Sequence, residues 1–403
     1  MKWTAKGHQF DNYGKIFEKR NRLLIYGAGQ FGMYSYEQLK FTGCVDGFID
    51  RDLFKQKSGL MSLPVHPPSY LLEQHNETHV IIIGTDKSKA VNISRRLLQA
   101  GYIQGVDFWY WEDFCSIDNN NAFFLTLFYL YSQNKIYLAS TCIIPGTNCN
   151  LNCLKCLNFT PELNKNKTHQ TQNIDAVKAN IDLYFKWVDY TPWFSIGGGE
   201  PLLYPNLKEL IEYVGEKYRK LIGERFELVT NGTIIPDDVL CEVFRKYDVR
   251  IAISNYEKNV PSCKQSRKSL FKKFKKFNIR HIDNNVQKWY DLDCFNTDNS
   301  FMSKCELSEH YDSCANPWNL LYDGKIYACD FAAFAMIAGI INETKNDFFD
   351  LSIEITKTMK REFIEFILWF NDNGYVDFCK RCSGWGNTLT QKFTTVAEQA
   401  PRD

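Results

Sequence analysis

An excess of charge of either sign is the first thing this sequence lacks. Its 48 Lys and Arg face 47 Asp and Glu, a net charge of +1, so no global field draws the chain to nucleic acid or to an anionic membrane. Long apolar runs are missing too. The longest, Ala122 to Tyr131, is too short to span a bilayer, so no membrane span is expected. No secretory signal opens the sequence, since Met1 to Arg22 is polar, which predicts a cytoplasmic protein. Internal repeats and low-complexity segments are absent. What remains is 403 residues with 44% hydrophobic and 15% aromatic content, enough for two to three domains with real cores.

Cysteine is plentiful instead, at fourteen residues. In a chain that is not secreted, this favours metal ligands over disulfides. Cys149, Cys153 and Cys156 form a C-x3-C-x2-C run, and Gly197-Gly198-Gly199-Glu200-Pro201 follows. Three thiolates so spaced can hold three corners of a [4Fe–4S] cluster. The fourth iron then lacks a protein ligand, and an open position separates a reactive metal centre from a structural one. A zinc knuckle needs a nearby fourth ligand, and no Cys or His lies between Cys156 and His169. Buried apolar thiols are the other plain alternative.

With the run Asn148 to Cys156 and the segment Gly198-Gly199-Glu200-Pro201, the chain resembles the radical S-adenosylmethionine (radical SAM) superfamily. The resemblance implies that S-adenosylmethionine chelates the open iron and that one electron cleaves it to a 5′-deoxyadenosyl radical, which abstracts hydrogen from substrate. An electron donor such as flavodoxin or ferredoxin is implied as partner. One departure stands out: the family usually has an aromatic residue just before the third cysteine, near the adenine, and here it is Lys155.

The expected fold class is α/β: a front domain at 1–120, a connecting helix at 121–136, a partial (β/α)6 barrel at 137–310, as the resemblance implies, and a small C-terminal domain with a β-hairpin at 311–403. Within the barrel, an extended segment from Tyr137, then Trp193–Ile196, Glu227–Thr230, Val249–Ser254 and Asn278–Ile282 read as strands. Helical stretches such as 206–219 and 236–247 separate them, which implies a parallel sheet. Ligands of such sheets lie beyond the carboxyl ends of the strands. By resemblance, backbone groups of Gly198, Gly199 and Glu200 bind the amino group of S-adenosylmethionine. Thr230, Asn231 and Ser254, at strand ends, are candidates for its ribose and carboxylate. Their plain alternative is turn-forming polar residues.

Cys314 and Cys329 flank a segment with Asp323-Gly324, a hairpin signal, and Cys379-Lys380-Arg381-Cys382 follows. Alone, the C-x2-C pair suits zinc or a redox pair. Together the four look like the twitch domain, a relative of the SPASM domain, which implies a second [4Fe–4S] cluster without an open iron. Of the other cysteines, Cys44, Cys115, Cys142, Cys241, Cys263, Cys294 and Cys305, most read as buried small hydrophobes; any one near the barrel mouth is a candidate hydrogen-atom donor, with Cys294 and Cys305 the better placed. His281 and Asp283 are candidate bases.

At the front, an apolar strand enters Gly27-Ala28-Gly29-Gln30-Phe31-Gly32, and a second strand ends at Asp50. Strand, glycine turn, helix, strand and acid are the context of a dinucleotide fingerprint, so Gly27, Gly29, Gly32 and Asp50 are candidate nucleotide-binding residues. The domain is similar to small Rossmann-like domains of sugar-modifying enzymes; the alternative is a degenerate domain kept for docking. Lys264 to Arg280 is basic with Phe271, Phe274 and Phe277 interleaved, a helix with one buried face and a solvated basic one, or a contact for a diphosphate or an acidic partner.

The expected substrate is a small molecule, a sugar-like, nucleotide-linked alcohol, undergoing oxidation or epimerisation. The alternatives are modification of a peptide or protein side chain, and an iron–sulfur scaffold or sensor without turnover.

Overall fold

The structure, a computed structural model, describes residues 5–72, 77–111, 123–316, 318–386 and 391–401. The chain divides into two compact units, His8–Tyr137 and the stretch from Leu138 onward with the residues just ahead of His8.

In the first unit, strands β1 (Arg22–Tyr26), β2 (Val45–Ile49), β3 (Val65–His66), β4 (His79–Ile83) and β5 (Phe108–Tyr110) form one parallel sheet in the order β3-β2-β1-β4-β5. Parallel strands are covered on both faces and so read as unbroken apolar runs; Val80, Ile81, Ile82 and Ile83 are fully buried. The helix Gln30–Leu39 follows the glycine turn, and Lys87–Gln99 is capped by Asp86, which accepts from Lys89 N at 3.2 Å.

The apolar stretch after residue 122 forms the helix Phe123–Gln133. It belongs to this unit, which ends at Tyr137. The amphipathic helix Asp11–Lys19 lies on it, with Phe17 edge-on to Phe124 and Phe128 at 5.7 and 5.6 Å. Trp109 on Phe124 and Phe41 on Tyr129 cover other faces, and Phe124 to Tyr131 is buried throughout. Cys115 and Ala122 lie outside the described residues.

In the second unit, the strands are β6 (Ser140–Ile143), β7 (Thr191–Ile196), β8 (Ile222–Thr230), β9 (Arg250–Ser254), β10 (His281–Asn284), β11 (Lys288–Asp291), β12 (Leu320–Tyr322), β13 (Lys325–Tyr327), β14 (Phe348–Asp350) and β15 (Lys392–Thr395). Eight of them make one sheet in the order β10-β9-β8-β7-β6-β12-β13-β14. The first six run parallel, and β13 and β14 are antiparallel additions.

Two sequence expectations change here. The hairpin β12–β13 does not stand apart from the barrel: β12 pairs with β6, Leu320 opposite Cys142 and Leu321 opposite Ile143. The exposed edge of β6 is thereby paired, as an apolar edge must be. The fifth strand begins three residues later than expected. Asn278 adopts φ 53° and caps the helix Ser262–Phe277, a conformation asparagine tolerates better than most residues.

That helix buries Cys263, Arg267, Leu270 and Phe274. Of the three phenylalanines, only Phe274 is in the buried set. Arg267 takes a core-facing position because Glu257, at 2.6 Å, and Asp283 neutralise it.

Candidate functional site

Why three glycines follow β7 is visible in what they touch. A Cβ on Gly199 would lie 2.2 Å from Asn148 O and 2.3 Å from Thr147 O, and one on Gly198, at φ +117°, 2.2 Å from Gly146 O. All are backbone atoms leading into the cysteine loop, so no side chain can yield. The absence of side chains lets the turn dock on that loop, with Gly199 N donating to Gly146 O at 3.2 Å and Glu200 N to Asn148 O at 2.8 Å.

Glu200 then works through its side chain. It is buried, and its carboxylate accepts from Thr230 Oγ1 at 2.9 Å, Leu202 N at 3.1 Å and Asn231 N at 2.8 Å. Burial pushes this carboxyl up to about 7, while the three donors restrain the rise. The clamp fixes the carboxyl end of β8. From there Asn231 Nδ2 donates to Asn150 Oδ1 at 2.9 Å and stands 3.8 Å from Cys149 Sγ.

Cys149, Cys153 and Cys156 line one cavity of about 360 Å³, together with Gly198, Gly199, Thr230, Asn231 and Ser254. Each sulfur has a polar partner. Besides Asn231 on Cys149, Gln399 Nε2 donates to Cys153 Sγ at 3.1 Å, and Thr160 Oγ1 lies 3.4 Å from Cys156 Sγ. Burial pushes Cys149 up to about 11 and Cys153 to about 12. A bound metal reverses that preference by supplying positive charge. Among the described residues, no three His, Cys, Asp or Glu side chains converge on a single-ion position. Thiols around a void, each with a hydrogen-bond partner, suit a larger inorganic group.

Lys155, at φ +56°, turns away from the cavity and pairs with Asp291 at 3.1 Å and Asp293 at 3.8 Å. Tyr256 and Trp289, ring centroids 5.4 Å apart, pack beside Cys149 and Cys156 instead.

The cavity extends past the thiols to Cys142 on β6, Glu227 on β8, and Trp318, Asp330 and Phe331. Glu227 is engaged by Arg250 Nε at 2.6 Å and Trp193 Nε1 at 3.1 Å. Asp330 accepts from Asn316 Nδ2 at 2.8 Å and Phe331 N at 2.9 Å, and burial pushes it up to about 7. Cys142 was one of seven cysteines with no individual signal, and Asp330 escaped sequence reasoning, its only signal being its place after Cys329.

Cys314, Cys329, Cys379 and Cys382 surround a second, smaller void, walled by Tyr311, Trp369, Phe378 and Trp385. Phe331 lines both cavities. Asn316 Nδ2 stands 3.7 Å from Cys329 Sγ and Gly384 N donates to Cys382 Sγ at 3.3 Å. Asn299 ties the C-x2-C loop by donating to Cys379 O and Cys382 O at 2.9 and 3.1 Å.

The other candidates fall elsewhere. Cys294 is buried in the core cluster that holds Cys329, Cys379 and Cys382. Cys305 is exposed on the helix Lys304–Asp312. His281 starts β10 rather than ending it and packs on Phe271 and Phe274. Asp283 is spent on Arg267. None of these four lines the large cavity. In the first unit, Gly32 lies against Gly27, where a Cβ would meet Gly27 O at 1.9 Å, whereas one on Gly29 would meet nothing within 4 Å. Asp50 is tied to the same turn, accepting from Ala28 N at 2.8 Å and Asp52 N at 3.0 Å.

Residues 143–254, from β6 through β9, match the model of the radical SAM superfamily. That stretch is a radical SAM domain. A curated relative, the antilisterial bacteriocin subtilosin biosynthesis protein AlbA of Bacillus subtilis (strain 168), is 31% identical over 106 residues, 26% of this chain. The match spans about a fifth (21%) of that relative's length. Among solved structures, BtrN in complex with AdoMet and 2-DOIA is similar over 62% of this chain and 94% of its own, at 14% identity and a TM-score of 0.39. Native anSMEcpe with bound AdoMet and Cp18Cys peptide is similar over 38% and 44%, at 18% identity and 0.31. Streptococcus suis SuiB bound to precursor peptide SuiA is similar over 93% and 88%, at 11% identity and 0.30.

The cofactors of a radical SAM domain are S-adenosylmethionine and a [4Fe–4S] cluster. Cys149, Cys153 and Cys156, with polar partners on every sulfur, fit the cluster that binds S-adenosylmethionine, and the four-thiol void fits an auxiliary one. Among the described residues, no helix is long and apolar enough to cross a membrane.

Proposed function

We propose that this radical SAM protein modifies a peptide or protein side chain by hydrogen-atom abstraction. The observation that carries the chemistry is a single cavity in which three partnered thiols, the glycine turn and the carboxyl ends of parallel strands meet Asp330 and Trp318. The peptide substrate is supported by the curated relative, a bacteriocin biosynthesis protein. Loaded at Cys149, Cys153 and Cys156, the cluster and S-adenosylmethionine would supply a 5′-deoxyadenosyl radical.

The chain's own residues then have distinct tasks. Thr230, Asn231 and Ser254 offer polar groups to the sugar and carboxylate of S-adenosylmethionine, and Glu200 orients two of them. Tyr256 and Trp289 exclude water beside the thiols. At the far end Trp318 and Phe331 form an apolar wall, and Asp330 can hold or accept a proton from substrate. Cys314, Cys329, Cys379 and Cys382 fit a twitch-type auxiliary cluster, and the expected electron donor is a flavodoxin- or ferredoxin-like protein.

A second reading, a nucleotide-linked sugar alcohol oxidised or epimerised at a carbinol carbon, is favoured by one observation. The first unit is a five-stranded parallel sheet with its glycine turn after the central strand, a Rossmann-like arrangement suited to phosphate.

One experiment separates these readings. The reconstituted protein, under strong reductant, is scored for 5′-deoxyadenosine with short peptides encoded beside its gene and with a panel of nucleotide-sugars, and each addition is checked by mass spectrometry. Stimulated 5′-deoxyadenosine with a changed peptide mass is the expected result. Stimulation by nucleotide-sugars alone would sink the peptide reading, and no 5′-deoxyadenosine at all would leave only a scaffold.

A further inference from the structure

The end of the described chain covers the three-cysteine loop. Strand β15 pairs antiparallel with β11, Trp289 opposite Thr394. The residues after it then run along the loop. Leu154 N donates to Glu398 O at 2.6 Å, and Ala400 N to Asn152 O at 2.6 Å. Asn259 Nδ2 holds Val396 O at 2.5 Å. Val396 and Ala397 are buried against Leu151, Cys153, Val260 and Cys263. This segment answers the backbone of the loop as a neighbouring strand would, a cost the loop would otherwise meet with water or leave unmet.

Gln399 has a double role in that contact. Its Oε1 accepts from Asn152 N at 2.9 Å, and its Nε2 donates both to Cys153 Sγ at 3.1 Å and to Ala397 O at 2.8 Å. The residue itself is exposed, whereas Cys153 is buried. The amide is therefore oriented at both ends, and its N–H is aimed at the sulfur of Cys153.

We propose that Gln399 is a positioning residue that sets the reduction potential of the cluster held by Cys149, Cys153 and Cys156. This rests on the reading that a [4Fe–4S] cluster sits there. An N–H donated to a ligating thiolate offsets negative charge, and does so more strongly when the cluster has gained an electron; hydrogen bonds to cluster sulfurs raise the potential in this way. Gln399 thus makes the cluster easier to reduce, and the backbone contacts of 396–401 hold the amide in place.

The test is potentiometric EPR of the reconstituted full chain. The signal that changes on adding S-adenosylmethionine identifies the cluster at 149–156. Gln399→Glu keeps the acceptor for Asn152 N and loses the donor; Gln399→Leu loses both. Both variants should shift the reduction equilibrium about tenfold toward the oxidised form, about 59 mV for one electron, with iron content unchanged. Glu398→Gln, which touches the loop through backbone only, should leave the potential in place. Unshifted potentials in loaded Gln399 variants, or an equal shift in Glu398→Gln, overturn the assignment to Gln399. Wild-type protein without iron at the three cysteines overturns the cluster reading itself and the inference with it.

Discussion

Glu200→Gln tests whether the glycine turn acts on S-adenosylmethionine through Asn231. The wild-type carboxylate answers three donors, two on Oε1 and Asn231 N on Oε2. An amide has one oxygen. In either orientation its NH2 meets at least one donor, and a buried N–H or O–H is left without an acceptor. Such a loss costs about 1–3 kcal/mol. With the amide oxygen kept at the two-donor Oε1 position, Asn231 N is the donor that loses its acceptor, and the Asn231 side chain reaches Asn150 Oδ1 at 2.9 Å. If about 1.4 kcal/mol of the clamp is felt at the ligand, affinity for S-adenosylmethionine falls about tenfold.

A double-mutant cycle with Asn231→Ala separates this path from general damage. That substitution removes the side chain and keeps the backbone N–H that Glu200 accepts. The melting temperature should therefore fall with Glu200→Gln in both backgrounds. The affinity loss should appear only where the Asn231 side chain is present. The assay is calorimetric titration of S-adenosylmethionine into iron-loaded protein at pH 8, above the Glu200 titration. Additive affinity losses, with no coupling between the two positions, would refute the reasoning, because Glu200 would then act on the ligand by some route other than Asn231.

Three further outcomes follow from the geometry. Gly199→Ala should abolish stable iron loading and destabilise by at least the upper end of the overpacking range, about 1–3 kcal/mol, since its Cβ would meet two backbone carbonyls of the cysteine loop; iron content and thermal melting read this. Arg267→Met should destabilise by about 3 kcal/mol, near the low end for breaking a buried pair, because Glu257 and Asp283 remain partly exposed and can hydrate; melting of the variant checks it. Acid should weaken the first unit below about pH 6.5. Burial holds His79 below its ordinary value despite Asp46 at 2.9 Å, so the unfolded chain takes up that proton first and stability falls as pH drops through the usual histidine range. Asp46, held low by its hydrogen bonds to Arg22, adds a loss in the same direction at lower pH. His79→Gln should flatten the melting temperature between pH 7 and pH 5.5.

The parts of this fold that could be read in the sequence are those specified locally. Apolar runs marked β1, β4, β7 and β9, and the cysteine spacing with its glycines marked the two thiol sites. Three features were not local. The pairing of β12 with β6 joins residues 320 and 142, and no pattern in either strand names its partner. Asp330, three residues past β13, lines the same cavity as Cys142 on β6, and nothing local to either residue marks that. The contact of Gln399 with Cys153 spans 246 residues, and a glutamine near the chain's end carries no signal of burial or chemistry. Arg267 misled in the opposite direction. A basic residue on a basic helix reads as solvated, yet two carboxylates from β10 and the loop before the helix draw it inward.

Lys155 shows how a site can keep its surroundings while changing the residue that makes them. The superfamily's usual aromatic at that position would supply apolar surface beside the third cysteine. Here the backbone at 155 is left-handed, and the ammonium group is held by Asp291 and Asp293. Asp293 also pairs with Lys392 at 2.5 Å. The same carboxylates thus bind the cysteine loop, the end of β11 and the start of β15 together. Trp289 lies on β11, two residues before Asp291, so its side chain faces the same side of the strand. With Tyr256 it provides the aromatic surface beside Cys149 and Cys156. The lysine therefore does not empty the aromatic position. It anchors the strand that carries Trp289, and replacing Lys155 with an aromatic residue would cut that anchor.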